Sequence, residues 1–283
     1  MKLFEEKYKL LDTNVCILRN KNSKFIPTIF LHGWMDNANS FLPMSQYLPE
    51  QNLFLVDLPG HGKSDHFNSN YDLAFYCRNI ITLVKKIIAD SEFDKVNLVG
   101  HSLRGVITSL VASTFPELLN KIIFLEAFGP LVDSAKNTST RLKLHLDKSC
   151  SLNQGPRIYP TESDCIKART VGGAMSFESA SILGQRGISK APNGYYWHHD
   201  RYLKIPSATR YTEDAVQDLL EKIEKKVFII YATNPLDLAK PHIEKRLTYF
   251  QNLKTKILEG GHHFHMEDSA KTVAQEINLY LNS

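Results

Sequence analysis

Leu98-Val99-Gly100-His101-Ser102-Leu103-Arg104-Gly105 decides how the rest of this chain is read. Lys95 to Val99 forms a short apolar, β-branched run that predicts a buried strand, and Val106 to Ala112 predicts a helix. A serine on a strand-to-helix turn between small residues has the form of a nucleophile elbow. So tight a turn needs small residues two before the serine and two or three after it. In return the hydroxyl stands clear of the sheet, and amides at the helix start can face a developing oxyanion. Gly100 and Gly105 meet that need, but Arg104 stands where the pattern has Gly, one residue short of G-x-S-x-G. Such a motif gains meaning only from partners supplied in the right order elsewhere.

Outward from the elbow, short apolar runs alternate with helical periodicity. Residues 2–19 alternate loosely around Asp12-Thr13-Asn14 and predict an antiparallel hairpin at a sheet edge. Thr28 to Leu31 predicts the first fully apolar strand and runs into His32-Gly33-Trp34. Ser40 is the expected cap of a short helix reaching about Leu48. Asn52 to Val56 predicts a strand ending in the glycine-rich loop Asp57 to Asp65. Ile80, Leu83, Val84, Ile87 and Ile88 recur at helical spacing between Asp72 and Asp90. After the elbow come Ile122 to Leu125 with Glu126 at its end, then Val227 to Tyr231. A helix near 241–250, a strand at Thr255 to Leu258, the loop Glu259 to His262 and a helix with Val273, Ile277 and Leu281 inward follow. Continuously apolar strands between amphipathic helices imply an α/β fold, a mostly parallel central sheet covered on both faces. Ligands in such sheets bind beyond the carboxyl ends of the strands, where all these loops lie. Residues 133–225 break the rhythm. The expected organisation is therefore a core of 1–132 and 226–283 with 133–225 inserted as a helical cap, one helix beginning at Ser176.

Composition narrows the function classes. A chain of 283 residues, 43% hydrophobic and 23% charged, suits one globular domain with an insertion. The net charge of +4 is spread along the chain, so nucleic-acid binding is not indicated. Cys16, Cys77, Cys150 and Cys165 are widely spaced and read as free thiols in a reducing compartment. The acidic start Met1-Lys2-Leu3-Phe4-Glu5-Glu6 is unlike a secretory signal, and no apolar run approaches the length of a membrane span. The expectation is a cytoplasmic protein with no membrane partner.

A serine hydroxyl is a poor nucleophile without a base held by a third group. Ser102 is the candidate nucleophile, and His262, beyond two glycines after the last strand, is the candidate base; His263 and His265 read as packing residues. Two residues compete for the orienting acid. Glu126, at the end of its apolar run, is favoured, because an interior carboxylate needs a partner such as an imidazole. Asp237 is the alternative, lying beyond Ala232-Thr233-Asn234-Pro235. Backbone N–H groups of Trp34 and Leu103 are the expected oxyanion donors. Trp34, His101 and Trp197 are candidate substrate contacts, with Tyr195 and Tyr196 beside the last suggesting an apolar acyl or aromatic site. Asp57, Asp65 and His61 read as turn-holding residues. Histidines 198, 199, 262, 263 and 265 match no metal-ligand spacing, so no metal is expected.

With LHGWMDNANSF at 31–41, DLPGHGKSD at 57–65, GHSLRG at 100–105 and GGHHFHMED at 260–268, the chain resembles the α/β-hydrolase superfamily along nearly its whole length. LEAFGPL at 125–131 and the stretch at 194–214 are similar to bacterial relatives of its serine hydrolase-like group. The resemblance implies a Ser-acid-His hydrolase without a cofactor, with Ser102, Glu126 or Asp237, and His262 in the triad positions; the expected partner is a small-molecule acyl substrate. Aspartate-nucleophile relatives, the haloalkane dehalogenases and epoxide hydrolases, are disfavoured by serine at 102. The expected function is hydrolysis of a carboxylic ester or related acyl compound. The alternative is a catalytically silent ligand-binding protein, supported by Arg104. That side chain either splays the elbow and displaces the Leu103 amide, or lays its stem on apolar surface and sends its head to solvent or a cap carboxylate.

Overall fold

A computed structural model describes residues 1–67, 69–152, 155–173, 175–235 and 243–283. Its main sheet begins with the hairpin β1 (Phe4–Lys9) and β2 (Asn14–Arg19), which is antiparallel as expected. β3 (Pro27–Leu31), β4 (Asn52–Asp57), β5 (Val96–His101), β6 (Leu119–Leu125), β9 (Val227–Ala232) and β10 (Leu253–Leu258) follow. The spatial order is β1-β2-β4-β3-β5-β6-β9-β10, parallel from β4 to β10. β3, β4, β5 and β9 are buried at every position, as strands covered on both faces must be. β10 is the edge, where Lys254 and Lys256 stay exposed and both approach Glu276.

Helices cover both faces. On one side lie α2 (Leu73–Ala89) and α3 (Leu103–Thr114); Asp72 caps α2 by accepting from the Phe75 amide at 2.6 Å. Ile80, Leu83, Val84 and Ile87 turn inward at their helical spacing onto Ile29, Leu98 and Ile122. On the other side α1 (Leu42–Ser45) and α9 (Ala270–Leu281) close over Phe30, Val99, Phe228 and Ile230. Each such fully buried side chain contributes about 1.5–3 kcal/mol of transfer free energy. The short helical turn ahead of α1 is capped by Asn37, whose side chain accepts from Asn39, and not by Ser40. The reason is that Ser40 lies inside the turn, wholly buried.

Between β6 and β9 the chain makes α4 (Thr138–Cys150), α5 (Glu162–Gly173), α6 (Phe177–Gly187), the antiparallel hairpin β7 (Ile188–Ala191) and β8 (Gly194–Trp197), and α7 (Glu213–Glu221). Ser176 caps α6 as expected. The segment is thus helical with one small hairpin. α7 behaves as part of the core layer, since Val216 and Leu220 join the main apolar cluster beside α3. The final helical piece before β10 is α8 (Ile243–Leu247). No helix among the described residues is long and apolar enough to cross a membrane.

Candidate active site

Ser102 sits between β5 and α3 with φ 54° and ψ −130°, a left-handed backbone that few side-chain-bearing residues adopt. The turn is held from both ends. The Ser102 amide donates to the Leu125 carbonyl at 3.0 Å, and the Gly105 amide donates to the Ser102 carbonyl at 2.8 Å. The flanking glycines are required by contact. A Cβ on Gly100 would lie 2.3 Å from the Thr108 hydroxyl, and one on Gly105 would lie 1.7 Å from the Ala127 carbonyl oxygen. Arg104 therefore does not splay the elbow, because the close approach of α3 to β6 is made at position 105.

His262 follows β10 with Nε2 2.9 Å from the Ser102 hydroxyl oxygen. Of the two glycines before it only Gly260 is demanded by geometry, with φ 134° and Phe264 against its α-carbon; a Cβ on Gly261 would meet open space. On the far side of the ring, Nδ1 lies 3.4 Å from Oε2 of Glu126. Glu126 stands one residue beyond β6, 1% exposed, with φ 70°. Its amide donates to the Ile230 carbonyl, and its Oε1 accepts from the Ala232 amide. The end of β9 thus supplies a donor that aims the carboxylate, and the second carboxylate oxygen is left for the imidazole. Asp237 lies outside the described residues.

Ser102, His262 and Glu126 share a cavity of about 780 Å³ with Trp34, Tyr76 and Leu103. Its farther wall includes Leu203, Lys204, Arg210 and Tyr211 from the segment between β6 and β9. Trp34 is half-exposed and is tied across the cavity by its indole N–H to the Leu203 carbonyl at 3.1 Å. Its backbone N–H and that of Leu103 have no hydrogen-bond partner among the described residues.

Comparisons with known proteins agree with this fold. A family model described as alpha/beta hydrolase fold matches residues 27–147. A probable serine hydrolase of Drosophila melanogaster is 28% identical over 253 residues, covering 85% of this chain and 76% of the relative. Human serine hydrolase-like protein 2 is 25% identical over 276 residues, 90% of this chain and 86% of that one. The crystal structure of a hypothetical protein from Pseudomonas aeruginosa PAO1 superposes with a TM-score of 0.91 at 26% identity, covering 99% of both chains. The chain has the fold of the α/β-hydrolase superfamily. The relatives are those of its serine hydrolase-like group, and a hydrolase is the class these likenesses support.

Other expected site residues fall elsewhere. His101 is wholly buried, on the far side of His262, and its Nε2–H donates to the His262 carbonyl at 3.0 Å. It cannot meet a substrate, because it is the last residue of β5 and its side chain leaves the sheet on the face opposite the cavity, among His263, His265 and Asp36. Trp197 also misses the Ser102 cavity. Its indole donates to the Cys165 carbonyl at 2.9 Å, and it lines a separate small hollow with Tyr159, Arg169 and His199. Asp57 and Asp65 hold turns as expected. Asp57 accepts from the Ala38 and Lys63 amides at 2.8 Å each, and Asp65 accepts from the Asn14 amide at 2.9 Å.

Buried histidines cluster around this architecture. Burial lowers the His32 pKa to about 3 and holds His61, His101 and His265 well below the usual value. Burial by itself raises the Asp36 carboxyl, but the facing side chains of His263, Arg169 and His101 outweigh it and hold the group well below the carboxylate range. Sequence reading missed Tyr76, Arg210 and Arg246 on the cavity wall. Tyr76 is one apolar-face residue of α2 among several, so nothing local marks it out. The arginines come from elements that only the folded chain brings to Ser102.

Proposed function

We propose that this α/β-hydrolase-fold protein is a serine hydrolase cleaving a small carboxylic ester or a related acyl compound through an acyl-enzyme. The observation that carries the reading is the line from Ser102 Oγ to His262 Nε2 at 2.9 Å and from His262 Nδ1 to Glu126 Oε2 at 3.4 Å, opening into one cavity. Ser102 Oγ attacks the carbonyl carbon while its proton passes to His262 Nε2. Glu126 Oε2 accepts the Nδ1–H and stabilises the imidazolium. The oxyanion lies against the amides of Trp34 and Leu103, each donor worth about 10²–10³ in rate. Collapse expels the alcohol or thiol, which takes the proton from His262. Water then gives a proton to His262 and its oxygen to the acyl carbon, releasing the acid and restoring Ser102. A cavity of about 780 Å³ suits a small-molecule acyl substrate. Trp34 forms part of its wall.

The test is hydrolysis of a series of 4-nitrophenyl esters of two to eight acyl carbons. The reading expects turnover of at least one ester, with a pre-steady-state burst matching one active site per chain, and loss of both in Ser102→Ala. Turnover that survives Ser102→Ala would overturn it.

A further inference from the structure

Arg104 is the largest fully buried side chain described in this protein, 1% exposed, yet it forms part of the wall of the Ser102 cavity. Its Nε and Nη2 have no hydrogen-bond partner, and it makes no ion pair among the described residues. Its guanidinium carbon stands 4.2 Å from the ring centre of Tyr76. Tyr76 supplies a π face and a neighbouring hydroxyl but no counter-charge. Burial pushes its pKa up to about 12, and its O–H donates to the Pro59 carbonyl at 3.2 Å. His32 and His61, also near Arg104, are held neutral.

Guanidinium stays charged in proteins, and an enclosed charge without an anion costs several kcal/mol. Asp36 acts on Arg104 through space but is committed to Arg169 and faces His263 and His101. The ionic groups of the cavity do not answer the charge either. Glu126 is occupied by His262 and the Ala232 amide, while Arg141 and Arg246 are paired with Asp133 and Glu213. Lys204 and Arg210 add further positive charge to the wall. Among the described residues Glu126 is the one carboxylate on the cavity wall; it is committed, and the cations outnumber it.

We propose that Arg104 is the anchor for a carboxylate carried by the substrate, which makes this cavity selective for anionic acyl compounds. The proposal rests on reading Ser102 as the nucleophile and names the substrate class for that site. Arg104 lies two residues beyond Ser102 on the first turn of α3, so an anchored anion and the attacked carbonyl belong to one short molecule. The guanidinium fork pairs with both carboxylate oxygens, and Tyr76 holds it from behind.

Two measurements test it. In the first, kcat/KM is compared for monoethyl succinate, glutarate and adipate against ethyl butyrate, valerate and caproate. 4-Carboxyphenyl butyrate against phenyl butyrate places the anion on the leaving side instead. The carboxylate-bearing member of at least one pair is expected to be favoured by about 10–100-fold, the size of a charge-assisted pair. Arg104→Met should erase that ratio and Arg104→Lys should restore part of it. In the second, thermal shift and calorimetry follow succinate, glutarate and adipate binding to Ser102→Ala, with and without Arg104→Met. Binding should weaken by about 10-fold or more when Arg104 is lost. Without ligand, Arg104→Met should melt no lower than its parent, because it removes an unpaired buried charge. Should Arg104→Met fail to fold, Arg104→Lys against the parent carries both readouts, with a reduced ratio expected. Neutral esters favoured throughout, with dicarboxylate binding indifferent to residue 104, would overturn the proposal. Binding that depends on Arg104 without any ester turnover would uphold it and instead count against the catalytic reading of Ser102.

Discussion

Ser102, Glu126 and His262 sit on turns leaving three strands of one sheet, whereas the segment between β6 and β9, which also supplies the farther wall of the cavity, is held by polar contacts between residues far apart in sequence. On the sheet side, register alone places the groups. His101 pairs with Leu125 and Leu125 with Ile230, so the turns after β5 and β6 end level with β9. On the other side, Arg186 of α6 reaches Asp57 at 2.5 Å and Glu5 at 2.6 Å, and Arg169 of α5 reaches Asp36 at 2.7 Å. Asn37 and Asn39 donate to the carbonyls of Leu183 and Ile182. The segment is itself uneven. α6 is clamped by these bonds, while α4 buries no residue and leaves Leu142, Leu144 and Leu146 exposed. The contrast separates a chemical centre built by backbone geometry from a wall built by side-chain pairs, and each fails in its own way.

The largest effects belong to the sheet side. Ser102→Ala and His262→Ala should each lower kcat of ester hydrolysis by about 10⁴–10⁶, and the double variant should be no worse than either, because the groups act as a unit. Glu126→Gln should cost about 10²–10⁴, through loss of imidazole orientation. Asp237→Asn should change kcat by no more than about 2-fold if Glu126 is the orienting acid. A collapse of kcat in Asp237→Asn with Glu126→Gln intact would make Asp237 the acid.

The sheet side was also the legible side. Continuous apolar runs mark five of its central strands, and strand-to-loop transitions alone place Ser102, Glu126 and His262 at one edge of the sheet. The sequence leaves Glu126 and Asp237 both open, because the contact that aims Glu126, the Ala232 amide on Oε1, is a backbone donor that no residue letter records. Trp197 and His101 failed for the opposite reason. Residue type suggested a role, but the hairpin β7–β8 turns Trp197 toward Cys165, and the exit of β5 buries His101. Arg104 was legible as a departure from the pattern, yet its enclosure against Tyr76 depends on α2, about thirty residues earlier in the chain.

The wall side predicts effects on stability. Arg186→Met leaves Asp57 enclosed without its guanidinium and should cost about 3–5 kcal/mol in urea unfolding. A loss below about 1 kcal/mol would show that α6 is held by other contacts. Acidification should loosen the whole molecule through its buried histidines. His32, His61, His101 and His265 have lowered pKa values in the fold and titrate near 6.5 when unfolded. Their stabilising contribution is therefore complete above about pH 6.5 and is lost as pH falls toward the folded values, about 3 for His32. Each histidine contributes a slope of about 1.4 kcal/mol per pH unit inside that window. Urea midpoints at pH 7.5, 6.5 and 5.5 should drop only below 6.5, and a flat series would contradict neutral burial. Smallest of all, Leu144→Ser on exposed α4 should change stability by no more than about 0.5 kcal/mol.

The central claim is that the sheet side holds an activated serine. Intact-mass analysis after treatment with a fluorophosphonate, on the wild-type chain and on Ser102→Ala, tests it most directly. The account predicts one adduct per wild-type chain and none on Ser102→Ala. An unlabelled wild-type chain, or an adduct that persists without Ser102, would contradict it.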